Sequence, residues 1–388
     1  MFARRHQVAL AVTAVLTAAA ACQAGHREQR PAAAAPPAPT AGTRPAATAF
    51  TLLASGAVRP DASVVERAAF DAGGTGHDFR PLLEGVAAAV SGADVALCHL
   101  DAVQEPEEAP AAASPGMFPP ELAPALAATG YDGCATASAH TLDDGADGVR
   151  RTLDALDRAG IRHAGSARTE DEARGALLRA GSALVAHLAY SQGPDRPSPA
   201  GQPWSLRLLD TDRILADARA ARQAGADVVV VSLDWGDPDQ DGPDPEQTEL
   251  ARRLTAARTG DRPAVDLILG TGARTPLPYE KVGGTWVVYG TGDQVAGPQP
   301  GAAAAPADPR TGRSTLARFT FAPPARAGGR WEVTRAEFVP ELFDPDAGRV
   351  VNVDEAIGRG ADLQAVRDGI RDAVLARGAA KDGLVMGR

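Results

Sequence analysis

The side chains able to do chemistry in this 388-residue chain stand just behind apolar runs. Asp101 follows the run at residues 93–98, His140 and Asp143 follow 133–137, and Asp234 follows 227–233. Beside a phosphate or carboxylate, His140 would serve as a general acid or base with Asp101 positioning it. The alternative is a histidine hydrogen-bonded within its own loop and an aspartate capping the next turn. A hard-oxygen set of Asp61, Asp101 and Asp234 would suit Mg²⁺ or Ca²⁺ rather than zinc. The run Asp237-Pro238-Asp239-Gln240-Asp241-Gly242 opens like a calcium loop. Its twelfth position is Thr248 rather than a bidentate glutamate, and Pro238, Pro243 and Pro245 constrain it, so a solvated acidic loop is expected. Trp204, in a Gly/Pro/Ser-rich insert, is either a packing anchor or a cleft-lining ring.

Composition narrows the class of function. Lys and Arg total 39 against 49 Asp and Glu, a net charge of −10, and aromatics are only 4%. Nucleic-acid binding needs clustered cations or stacking rings, so it is excluded as an expectation. Three cysteines are too few for a disulfide scaffold or a zinc cluster. Hydrophobic residues at 44% supply a core.

The first residues read as an address. Arg4 and Arg5 precede an apolar run at 8–21 that is too short to span a bilayer, so 1–22 reads as a signal peptide. It ends in Ala19-Ala20-Ala21-Cys22, which resembles a lipobox, whose cysteine is acylated; an ordinary A-x-A cleavage site fits the same residues. Residues 23–47 are Ala, Pro, Gly, Thr and Arg without periodicity, a disordered tether. The expected location is extracytoplasmic, at the outer face of the cell membrane as a lipoprotein, with plain secretion as the alternative.

The elements that must position the reactive residues alternate. Strands are expected at 50–54, 93–98, 133–137, 183–189, 227–233, 265–269 and 285–289, with helices at 80–90, 120–128, 214–224 and 246–257. Val149, Leu153 and Leu156 mark a further helix by their i, i+4, i+7 spacing. Such alternation implies an α/β fold with a mostly parallel sheet, whose ligand sites lie at the carboxyl ends of strands. After a Gly/Ala/Pro-rich loop at 299–312, residues 318–322 and 331–338 read as paired strands. Val366, Ile370, Ala373 and Val374 form an amphipathic last helix.

Read in order, the strand ends are Ser55-Gly56-Ala57, Cys98-His99-Leu100-Asp101, Ser138-Ala139-His140-Thr141-Leu142-Asp143, Ser232-Leu233-Asp234-Trp235-Gly236, Leu269-Gly270-Thr271-Gly272-Ala273-Arg274 and Tyr289-Gly290-Thr291-Gly292-Asp293. This order resembles the CapA family of capsule and poly-γ-glutamate synthesis proteins over residues 48–380. The resemblance extends to the strand openings Gly92-Ala93-Asp94 and Gly225-Ala226-Asp227. It implies a four-layer αββα sandwich of the metallophosphoesterase (calcineurin-like) type over 48–298, with 299–388 as a linker plus C-terminal strands and a helix packing on it. Against the family's pattern, Ala57 stands for an Asp, with Asp61 near a His position; Ala139 stands for an Asn, and Asp234 for the His before Trp-Gly. Gly270-Thr271-Gly272-Ala273-Arg274 replaces a His-rich motif, and Asp293 replaces an Asn. The seven histidines all precede residue 188.

A dinuclear centre needs those ligands, and Arg274 sets a permanent cation where one stood. The leading expectation is therefore a metal-site-degenerate pseudo-enzyme that needs no cofactor. Its ligand residues would be Asp234, Trp235, Arg274 and Asp293, and its partner an anionic or peptide envelope polymer, or the envelope-synthesis proteins. One alternative is a metal-dependent hydrolase or transferase with Mg, Ca or Mn held by Asp61, Asp101, Asp234, Asp293 and His140; another is a purely structural lipoprotein. The resemblance also brings Cys98 and Cys134 close together, which in an exported protein makes them a candidate disulfide.

Overall fold

The computed structural model describes residues 47–106, 116–238, 240–296, 310–326 and 328–387. The signal peptide, Cys22, the tether up to residue 46, Asp239 and nearly all of the 299–312 loop lie outside these residues.

The chain enters as β1 (Phe50–Arg59), followed by α1 (Ala62–Asp71), α2 (Arg80–Ser91) and β2 (Val95–Leu100). The short strands β3 (Val103–Gln104) and β4 (Met117–Phe118) lead to α3 (Leu122–Thr129), β5 (Gly133–Ala135), α4 (Gly145–Ala159) and β6 (Arg162–Ala164). Next come β7 (Ala176–Ala180), β8 (Ala183–Ser191), α5 (Thr211–Gln223), β9 (Val228–Asp234) and α6 (Pro245–Ala256). A small ladder, β10 (Arg258–Thr259) and β11 (Arg262–Pro263), precedes β12 (Leu267–Thr271), β13 (Tyr279–Val282), β14 (Thr285–Val288) and β15 (Asp293–Ala296). The C-terminal part holds β16 (Arg313–Ala322), β17 (Glu332–Asp344), β18 (Arg349–Asn352), α7 (Val353–Gly358), α8 (Gln364–Leu375) and β19 (Leu384–Met386).

Two large sheets result. One has the order β18-β17-β16-β1-β2-β5-β6, with β15 beside β1 and β19 beside β17; the other has the order β13-β14-β12-β9-β8-β7. Strand β9, with the sequence VVVVSLD, shows how the layers form. Its β-branched run suits a pleated surface and is buried throughout. Side chains alternate across the strand, so Val228 and Val230 enter the core shared by both sheets, while Val229, Val231 and Leu233 join a second core under α5 and α6. On the far side of the first sheet, Leu82, Leu83 and Val86 of α2 and Val149, Leu153 and Leu156 of α4 bury their stripes. The architecture is helix, sheet, sheet, helix: an α/β sandwich of four layers.

Register is pinned by aspartates at strand openings. Asp94 accepts the amide of Thr51 at 2.8 Å, Asp132 that of Ala96 at 2.8 Å, Asp227 that of Leu184 at 2.9 Å and Asp266 that of Val229 at 2.8 Å. Each ties the start of one strand to its neighbour, and a one-residue slip would turn every inward side chain outward. Cys98 and Cys134 are register partners on β2 and β5, with Cα atoms 4.4 Å apart and their sulfurs joined.

Behind the strand ends lies a buried acid. Glu341 of β17 is fully buried and accepts hydrogen bonds from Gln294 and Ser314, and Tyr131 donates to the same Gln294 at 2.8 Å. Burial pushes its carboxyl up to about 8 despite those bonds. The folded state thus keeps a proton that the unfolded state gives up near 4.5, so stability falls as pH rises between those two values. Glu341→Gln keeps the acceptor for Gln294 and removes the titration. In urea unfolding at pH 7 it should be more stable than the parent by about 2–3 kcal/mol, with the difference shrinking toward pH 5.

Candidate ligand pocket at the strand ends

A cavity of about 230 Å³ opens where β1, β2, β9 and β12 end, as sheet topology requires of a ligand site in this kind of fold. Asp101, His140, Asp234, Arg274 and Asp293 all line it, together with Arg59 and Asp195. Five of the residues singled out in the sequence therefore converge in one place.

Asp101 leaves β2 with its Oδ1 atom buried and without a hydrogen-bond partner. Burial works to raise its carboxyl, but the charges of His140, Arg59 and His99 and the Ser138 hydroxyl together hold it below the usual range. Asp234 ends β9, accepts the Ser191 hydroxyl at 2.9 Å, and faces His99 at 3.9 Å. Burial, with the charge of Asp101 added, pushes it up to about 7. Asp293 opens β15; burial and the Asp101 charge raise it to about 6, although Arg59 and Arg274 pull the other way. His140 pairs Nδ1 with Asp143 Oδ2 at 2.9 Å, and this bond raises its affinity for a proton above the usual value. His99 is buried beside Thr271, and desolvation lowers its proton affinity.

Two features of the β12 loop fix the pocket's shape. Gly272 has φ +95, and a Cβ there would sit 2.9 Å from Asp234 Oδ1. Arg274 has φ +58, the one non-glycine residue in the left-handed region among those described. That conformation costs about 1–2 kcal/mol in a side-chain-bearing residue, a strain typical of functional loops. It places the arginine in the pocket near Asp293, whose amide donates to the Arg274 carbonyl at 3.0 Å.

Sequence reasoning missed Asp195, whose Oδ2 lies 3.9 Å from His140 Nδ1, and also Arg59. Arg59 Nη2 donates to Asp293 Oδ2 at 3.1 Å, with both side chains buried. The expected strand stopped at residue 54, whereas β1 continues through an irregularity between Ala54 and Ala57 to Arg59. The signal was a cation closing the apolar pair Ala57-Val58.

Two expectations need correction. Asp61 does not line the pocket: its Oδ1 accepts the Val64 amide at 3.1 Å and caps α1, so it is not grouped with Asp101 and Asp234. The carboxylate that joins those two is Asp293. Trp235 does not line this pocket either. It lies one residue past the end of β9, where it stacks on Tyr289 and donates to its carbonyl at 2.9 Å. It lines a neighbouring cleft instead. In the acidic loop, Asp241 pairs with Arg310 and Asp237 is exposed. Trp204 is half-buried, and its indole N–H is unpartnered.

The arrangement does not fit a pair of divalent ions. Among the described residues, the set of three acidic and histidine ligand atoms gathered within 4.8 Å is Asp157, His163 and Glu172, none of which lines the pocket. The Arg168 guanidinium already bonds both of those acids. In the pocket itself, Asp293 is engaged by Arg59, and Arg274 adds a second fixed cation, which opposes metal binding. What these groups can do is hold an anionic group between guanidiniums and accept a hydrogen bond at Asp101 Oδ1.

Removing Arg59 leaves Asp293 buried beside Asp101 without its hydrogen-bonded ion-pair partner. Arg59→Met should cost about 3–5 kcal/mol in denaturant unfolding at pH 7, and adding Asp293→Asn should recover most of that loss.

Comparison with known proteins gives the family. The family described as bacterial capsule synthesis protein PGA_cap matches residues 51–298. Two curated relatives, each named a probable polyglutamine synthesis accessory protein and from Mycobacterium tuberculosis strains CDC 1551 / Oshkosh and H37Rv, are 30% identical over 193 residues. The matches cover 45% of this chain and 48% of each relative, so the chain spans about half the length of the curated relatives it matches. Among solved structures, a phosphatase from Mycoplasma pneumoniae aligns with TM-score 0.43 and 11% identity, covering 76% of this chain and 94% of the other. A calcineurin-like phosphoesterase of Bacillus subtilis aligns with TM-score 0.41 and 10% identity, covering 83% and 98%.

Proposed function

From the premise that the chain belongs to the bacterial capsule synthesis protein family PGA_cap, we propose that it serves capsule or polyglutamate-type polymer synthesis as a metal-free binding or assembly factor. The observation that carries this reading is the pair of guanidiniums, Arg59 and Arg274, set among the carboxylates at the strand ends. Each supplies in fixed form a positive charge that a bound ion would otherwise bring. An anionic group of the polymer enters beside Arg274 and His140, and a donor on the same unit meets the buried Asp101 Oδ1. A cavity of about 230 Å³ admits one small unit at a time.

The partner is the polymer or the synthesis machinery that handles it; the names of the Mycobacterium tuberculosis relatives support an accessory role of this kind. The place of action is the outer face of the cell membrane, held by a lipid on Cys22 through the Ala/Pro-rich tether. Cys22→Ser should move the protein from the membrane fraction to the soluble fraction on cell fractionation; unchanged partitioning counts against the anchor.

Metal titration tests the central claim. Calorimetry with Mn²⁺, Zn²⁺, Mg²⁺ and Ca²⁺, with elemental analysis of the purified protein, should find no stoichiometric metal in the pocket. Phosphoester and γ-glutamyl amide substrates should turn over at background rates. Tight stoichiometric binding, with metal-dependent turnover lost in Asp101→Ala, overturns the reading in favour of a carboxylate-rebuilt metal enzyme.

A further inference from the structure

A second and larger cavity, of about 590 Å³, lies against the N-terminal part of α6. Gln192 lines both this cavity and the carboxylate pocket, and the consecutive residues Trp235 and Gly236 wall one and then the other. They are adjoining stretches of one cleft. The floor of the larger stretch is apolar, made by Leu209, Leu250 and the Trp235 ring. This gives Trp235, which the carboxylate pocket leaves out, a place beside bound ligand.

The rim has the opposite charge preference from the inner pocket. Glu246 and Glu249 stand exposed on it, and the half-buried Asp244 lines it as well. Asp244 is spent on the α6 N-terminus, where its Oδ1 accepts the Gln247 amide at 2.7 Å. Glu249 is bound by Arg252, outside the lining, while the Glu246 side chain has no partner among the described residues. The cation on the rim, Arg253, acts on Glu249 and also lies 4.0 Å from the exposed Asp212, so three carboxylates of the lining stand against one guanidinium. A second carboxylate of a polyanion would be repelled here; an ammonium group would be held.

We propose that the α6 groove is a second subsite, which takes the amine-bearing, cationic unit of a peptide-like ligand whose neighbouring carboxylate unit sits beside Arg59 and Arg274. The proposal rests on reading the inner pocket as a ligand site. It narrows the ligand to a chain of mixed charge, or to a polymer end carrying an ammonium group, because a uniform polyanion satisfies only the inner half. The alkyl stem of such a unit would lie on Leu209, Leu250 and Trp235 while its ammonium reaches the rim.

Two blocked dipeptides test this by calorimetry on the full-length protein: N-acetyl-Glu-Lys-amide and N-acetyl-Glu-Glu-amide. The Lys peptide should bind about three- to tenfold more tightly at low salt, with the preference fading as salt is added. The surface double variant Glu246→Gln, Glu249→Gln should lose the preference for the Lys peptide. Equal binding by the parent protein, or a preference that survives the double variant, overturns the subsite. If both peptides then lose binding together in Arg274→Gln, the inner pocket stands without its neighbour. If neither peptide binds the parent, the subsite and the inner-pocket reading fail together.

Discussion

Three buried carboxylates share one small pocket, and their mutual repulsion is the constraint around which the strand ends are built. Asp101, Asp234 and Asp293 could not all ionise in such a space without compensation. The protein meets the constraint in two ways. Arg59 and Arg274 neutralise part of the charge, and Asp234 and Asp293 keep their protons to higher pH than ordinary aspartates. Of the three, Asp101 is the one held toward the anion, by His140, Arg59 and His99 and by the Ser138 hydroxyl, against its burial. A resident metal would do the same work by a different route. Under the proposed function, the guanidiniums supply that charge in fixed form, without the need for an ion.

Much of this was legible in the sequence because the fold puts ligand-facing residues at predictable places. Asp101, His140, Asp234, Arg274 and Asp293 each follow or open a strand, and in an α/β sandwich those positions meet. Arg59 was illegible because β1 bends through an irregularity and continues past the glycine where its apolar pattern pauses. Asp61 was misread for the related reason that its spacing from Gly56 suggested a vacated ligand position; two residues beyond the real strand end, an aspartate serves better as a helix cap. Trp235 shows the limit of motif reading: Asp234 closes β9, while Trp235, one residue beyond, turns onto Tyr289, so neighbours in the motif serve different cavities.

The strand-opening aspartates explain another part of the pattern. The repeated Gly-Ala-Asp at residues 92–94 and 225–227 is not chemistry at the site. Each aspartate ties its strand to the neighbour at the end opposite the pocket, and this fixes which residue emerges at the carboxyl end. The distance between motif and site is bridged by register. The Cys98–Cys134 link does the same for β2 and β5, whose following loops carry Asp101 and His140.

Strand β1 stands at the middle of its sheet, although it is the first strand of the fold. Its partners are β2 on one side and, on the other, β15 and β16, which begin more than 230 residues later. During synthesis the first strand therefore waits with one edge open until the chain is nearly complete. The order of manufacture and the order of assembly are opposed, and non-local pairing of this kind slows folding. Any chain that stops short of residue 322 exposes a long apolar strand edge, a template for joining other copies. The last quarter of the polypeptide is thus what closes the first strand against aggregation, and the pocket, with Arg59 at the tip of that strand, comes into being only at the end.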